Sequence, residues 1–208
     1  MKRIALLLMA LMLLGTAQTV TAQKKPVKRT TTTTPRKKPV TTQSNKATES
    51  FVLGDGKLGP LNLGQTTASL PKKVAGLYDS YKIKTEEFGD MDDSWTETNC
   101  YFYKGGKAIF KALVNDNKRL ESFTLDKGSS FIKTSEGFFV GGSARDLFSK
   151  KPMTWETWYT GTAFARKGHW EFHIPSDDLN GADFPAKLSD IKSTAKISMI
   201  VYYKSLPQ

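Results

Sequence analysis

CYFYKGGKAIFKALV, residues 100–114, alternates in side-chain character on either side of a Gly-Gly pair. Period-two alternation broken by a short glycine turn predicts an antiparallel hairpin. A second stretch, TAFARKGHWEFHI at 162–174, has the same form. Laid on each other, the two match Phe102 to Phe164, Lys104 to Arg166, Gly106 to Gly168 and Phe110 to Phe172. A third strand follows each hairpin. In the first copy it is RLESFTL, after the turn NDNK; in the second it is KISMIVYY at 196–203, delayed by the insertion 175–195.

Upstream of each hairpin lies another matching pair: LGQTTASL at 63–70 and VGGSARDL at 140–147. Each follows a run that can form a strand, GPLNL and GFFV. In the second, Ser143 is placed to cap a helix, and Asp146 three residues later favours its positive end. In the first, Leu70, Val74 and Leu77 have helical spacing, with Pro71 tolerable in a first turn. The pattern predicts an α+β fold of two tandem units, about 58–136 and 137–208, within a core spanning 51–208. Each unit has a short strand, a helix and a three-stranded antiparallel meander. A unit of ~70 residues buries little core alone, which favours the two packing together.

Ahead of this core, Lys2 and Arg3 precede an apolar run from Ile4 to Leu14, and Val20-Thr21-Ala22 suits cleavage. Residues 1–22 are therefore expected to be a signal peptide. A bilayer span needs ~20 apolar residues, so no transmembrane anchor is expected after cleavage. Residues 23–50 are rich in Lys, Arg, Thr and Pro, with 8 basic residues against 1 acidic. Such a composition predicts a disordered linker. The formal net charge of +11 rests largely on that segment, because residues 51–208 carry 21 basic and 19 acidic residues. An exported, periplasmic or extracellular basic tail meets anionic envelope surfaces rather than nucleic acid. It serves equally as a solubilising spacer.

The two histidines fall in the second hairpin. In a strand, His169, Glu171 and His173 share one face, and Trp170, Phe172 and Ile174 share the other. His169 and His173 then stand ~13 Å apart, too far to bind one zinc ion at ~2 Å each. Their counterparts in the first hairpin are Lys107, Ile109 and Lys111, which predicts a face in water. No metal and no cofactor are expected, although this face remains the site of the alternative, a small secreted metal-dependent enzyme. Ser69-Leu70-Pro71-Lys72 matches a Ser-x-x-Lys nucleophile motif, but no Ser-Asp-Asn or Lys-Thr-Gly completes it. Acidic stretches at 86–97 and 177–183 read as solvated loops, with calcium the competing possibility. Cys100, the single cysteine, allows no intramolecular disulfide and reads as a buried thiol. Tyr101 and Tyr103 oppose Cys100 and Phe102, and Trp158 opposes Trp155 and Tyr159. Exposed Tyr and Trp suit protein or sugar interfaces, and cover by the helices is the plainer possibility.

The tandem apolar-Gly-x-Thr/Ser helix start followed by a meander resembles the β-lactamase inhibitory protein architecture. It is also similar to the small lipoprotein of the outer-membrane assembly machine. The lipid-carrying cysteine of the one and the cysteine pairs of the other are missing here. The resemblance implies a non-enzymatic module that binds a protein through a sheet face. An exported binding module of the envelope or extracellular space follows, with a protein or anionic envelope component as partner. Its candidate contacts are Tyr101, Tyr103, Trp158, His169, Glu171 and the insertion 175–195, with no catalytic residues. A structural surface protein held by its tail is a third possibility.

Overall fold

The computed structural model describes residues 51–89, 94–158 and 161–205, and of 157 and 158 the backbone alone. The expected signal peptide and linker lie outside the described residues. In chain order the strands are β1 (Phe51–Gly54), β2 (Lys57–Leu58), β3 (Leu61–Asn62), β4 (Ser80–Phe88), β5 (Trp95–Lys104) and β6 (Lys107–Val114). They continue with β7 (Leu120–Leu125), β8 (Ile132–Thr134), β9 (Trp155–Trp158), β10 (Thr162–Lys167), β11 (Trp170–Pro175) and β12 (Met199–Tyr203). One helix, α1 (Ala144–Lys150), separates β8 from β9. A 4-stranded sheet has the order β3-β2-β1-β8, and an 8-stranded sheet the order β4-β5-β6-β7-β12-β11-β10-β9. Among the described residues no helix is long and apolar enough to cross a membrane.

This is a mostly β fold, which overturns the α+β expectation of two helix-and-meander units. The difference starts at Pro71. The residue before a proline is driven out of the helical region, and Leu70 is extended, at φ −67° and ψ 131°. Only a 3-10 turn, Thr67–Ser69, forms there. Further on, Gly76 takes φ 78°, which a helix cannot hold. The second copy does make its helix: Ser143 accepts from the Asp146 amide at 3.2 Å, with Asp146 in the first turn. Neither GPLNL nor GFFV forms a full strand. Leu61–Asn62 is the short β3, and 137–140 is irregular.

The expected hairpins form as β5–β6 and β10–β11. Gly105 and Gly106 adopt φ 56° and 76°, as a two-residue turn between Lys104 and Lys107 requires. Each meander gains an outer strand beyond the three expected, β4 in the first and β9 in the second. The meanders join edge to edge where β7 pairs antiparallel with β12. They are halves of one sheet.

One face of that sheet carries the core. Phe102 stacks on Phe110 at 4.4 Å between ring centroids, and Tyr78 meets Phe102 edge-on at 4.8 Å. Phe123, Phe172, Ile174 and Ile200 continue the same layer. Leu53, Leu58 and Ile132 from the small sheet and Leu147 from α1 belong to the same cluster. Burying a large apolar side chain contributes ~1.5–3 kcal/mol, and that apolar layer drives the assembly. The insertion 175–195 is anchored: Leu179 and Ile191 bridge to each other and are buried in the core.

Candidate functional site

The opposite, far face of the large sheet is polar and aromatic. Register partners follow one another across it in a row: Lys82 on β4, Tyr101 on β5, Lys111 on β6, Thr124 on β7, Val201 on β12, Glu171 on β11 and Arg166 on β10. A second row is Lys84, Asn99, Leu113, Ser122 and Tyr203. Strict alternation sends these side chains away from the core, since their sequence neighbours Cys100, Phe102, Phe123 and Phe172 point into it.

On the β4–β5 side, cations sit over aromatic rings. The Lys82 ammonium lies 5.8 Å from the Tyr103 ring centroid, and the Lys84 ammonium 5.3 Å from that of Tyr101. The Tyr101 hydroxyl donates to Glu86. Burial first, then that carboxylate, pushes the Tyr101 phenol up to about 12. Phe88 and Trp95 stack at 6.0 Å on the same face, and Trp95 is 53% exposed. Among the described residues Lys82, Lys84 and Lys111 form no salt bridge.

On the other side Glu171 is 1% exposed and gathers a cluster. His173 Nε2 lies 2.7 Å from Glu171 Oε1, and Arg166 Nε donates to Oε2. Burial alone would raise the Glu171 carboxyl; the bonds to His173 and Arg166 reverse this and hold it below its ordinary value. The Tyr203 phenol, drawn into the same cluster, is pushed up to about 12, chiefly by burial and then by the Glu171 carboxylate. Both Glu171 oxygens are engaged. The carboxylate therefore acts as a fixed anion that orients the ring and the guanidinium, and a free general base is not what the geometry offers.

The expectation of a solvated His169–Glu171–His173 face fails for two of its three members. Glu171 and His173 are buried, because Phe164 of β10 shares their face and stacks on His173 at 5.9 Å. The match of Phe102 to Phe164 is off by one. Phe102 pairs with Phe110, whereas the residue opposite Phe172 is Ala165. A bulge between the Phe102 and Tyr103 pairs leaves Ile109 over, and one extra residue inverts every side chain on one side of it.

His169 stands apart from its expected partners. It is a turn residue whose ring stacks on Tyr202 at 5.6 Å, and its Nδ1 lies 2.9 Å from the Tyr203 carbonyl oxygen. With Asp55, Lys57, Asn62, Tyr202 and Lys204 it lines a cleft of about 450 Å³ beside the small sheet. Among the described residues no three His, Cys, Asp or Glu side chains are grouped to hold a metal.

Tyr101, Tyr103 and Glu171 thus share the far face, but β5 and β11 are four strands apart, ~19 Å. Trp158 lies in β9, and its side chain is outside the described residues, as is the tip of the 86–97 acidic stretch. Sequence reasoning missed Lys82, Lys84, Arg166 and Tyr203. For the two lysines the signal was present, in the alternation of Tyr81, Lys82, Ile83 and Lys84.

No protein-family model matches the chain, and no curated protein matches it. A crystal structure of the uncharacterized protein YfeY from Escherichia coli is similar over 68% of this chain and 95% of that one, at 16% identity and a TM-score of 0.45.

Proposed function

We propose that the protein is an exported, non-enzymatic binding module that recognises an anionic envelope component or an acidic protein through the far face of its large sheet. The observation that carries the reading is the pairing of Lys82 with Tyr103 and Lys84 with Tyr101 on the face turned from the core. An ammonium held over a ring keeps its charge while presenting flat apolar area, a combination suited to a partner with carboxylate or phosphate groups beside apolar ones. Lys111 adds a third cation in the same row as Tyr101. The metal-dependent alternative lacks support, because His169 is directed away from the Glu171–His173 pair.

The test immobilises the protein beside a Tyr103→Ala/Lys111→Glu variant and passes envelope extract of the native cell over both. A component retained by the parent and released by the variant is the expected result. Equal retention by the two, or retention by neither, removes the far face as the binding surface. Because exposed charges are screened, retention should fall as salt rises past ~0.15 M.

A further inference from the structure

Strand β4 is one edge of the 8-stranded sheet, so one side of its backbone has no strand partner among the described residues. It is nine residues long, and most of it is exposed. Proteins blunt such edges with lysine, because an unpaired row of amide and carbonyl groups templates the addition of another strand. Lys82 and Lys84 fit that device. Glu86, in the same strand, supplies a charge that can meet such a lysine.

At one register SYKIKTEEF meets its own antiparallel image with opposite charges facing each other and no like charges opposed. When two copies run antiparallel with Thr85 opposite Thr85, Lys84 of each copy faces Glu86 of the other, on the same face of the sheet. Residues directly opposite must share a face, so the register can slip only in steps that keep this parity. A slip one way brings Lys82 opposite Glu86 but sets Lys84 against Lys84; a slip the other way sets Glu86 against Glu86 and leaves each Lys84 opposite Phe88. Like charges directly opposite are destabilising, which leaves the central register favoured.

A second observation concerns length. β6 ends at Val114, opposite Thr98, so Glu86–Phe88 and Trp95–Glu97 continue past it as a two-stranded ribbon. Two strands alone are marginal in water. In the central register the ribbon of one copy lies along Lys82–Lys84 of the other, where that copy's sheet is deepest. Each ribbon gains a third strand. Ile83, 45% exposed on the core face, comes to lie opposite Glu87 of the second copy and diagonal to its Thr85.

We infer that the partner for this edge is a second copy of the chain: a two-fold dimer in which β4 pairs with β4 antiparallel about Thr85 and the two large sheets become one. The interface is isologous, each copy supplying the same strand. It leaves the far faces of both copies on one side of the joined sheet.

The experiment is sedimentation equilibrium of the purified protein in low salt, with the variants K84E and E86K and their equimolar mixture. The parent is expected to dimerise as its concentration rises, and more weakly in added salt. Each single variant places like charges opposite each other and should raise the dimer dissociation constant about tenfold. In the mixture every such position again faces an opposite charge, so association should return as a heterodimer. That recovery also establishes that both variants are folded. A parent monomeric at ~0.5 mM, single variants that dimerise like the parent, or a mixture no better than its components would each overturn the proposal.

Discussion

Glu171 carries much of what distinguishes the two faces of the sheet. Its carboxylate is removed from water, and His173 and Arg166 hold it ionised. A carboxyl whose folded pKa lies below its ordinary value, 4.5, stabilises the fold above that value. The contribution is lost as pH falls through the folded pKa. Glu171→Gln should cost about 2 kcal/mol at pH 7. This is below the ~3–5 kcal/mol for breaking a fully buried pair, because Arg166 is 41% exposed and stays hydrated. Urea denaturation at pH 7 and pH 3 reads the effect: the gap between parent and variant closes towards pH 3. A gap that persists there would assign the cost to packing. In the sequence this residue looked like one of three on a wet strand. Alternation places a side chain on a face and says nothing of what the neighbouring strand brings, and here Phe164 and Arg166 closed over it.

At the scale of the element, the two Gly-x-Thr/Ser stretches part company at Pro71 and again at Gly76. Pro71→Ala removes the restraint on Leu70, yet the segment should stay non-helical. Gly76 remains at positive φ, and the Tyr78 hydroxyl still donates to the carbonyl of residue 71, a bond of 2.6 Å in the parent. Far-UV circular dichroism of the variant should match the parent, and a gain in helical signal would make Pro71 the sole cause. The hairpins were legible because a glycine turn between alternating strands is a local signal. The helix at Ala144–Lys150 was legible from its cap. Strand β4 was legible only in the alternation of Tyr81 to Lys84, since Thr85, Glu86 and Glu87 beyond it add no apolar residue and merge into an acidic stretch. The small sheet was illegible for another reason: strands of two to four residues leave no period to read.

Across the whole molecule the seam between β7 and β12 decides how the halves behave. Ile200 is fully buried there, opposite Leu125. Ile200→Ala should cost about 2–5 kcal/mol, and the halves should still lose structure together. The tryptophan signal, drawn from Trp155, Trp158 and Trp170 in the second half and Trp95 in the first, should coincide with far-UV circular dichroism, which reports both halves throughout. Two separate transitions would mean that the seam is weaker than either meander. The same seam orders events during synthesis. The chain emerges from the ribosome N-terminus first, so β7 is made before the whole of 126–198 and before the strand that pairs with it. Until residues 199–203 emerge, Leu120–Leu125 presents an unpaired edge beside an uncovered apolar face. The nascent first half is thus the form of this protein with most need of a chaperone, and a ribosome stalled anywhere short of β12 leaves it in that form.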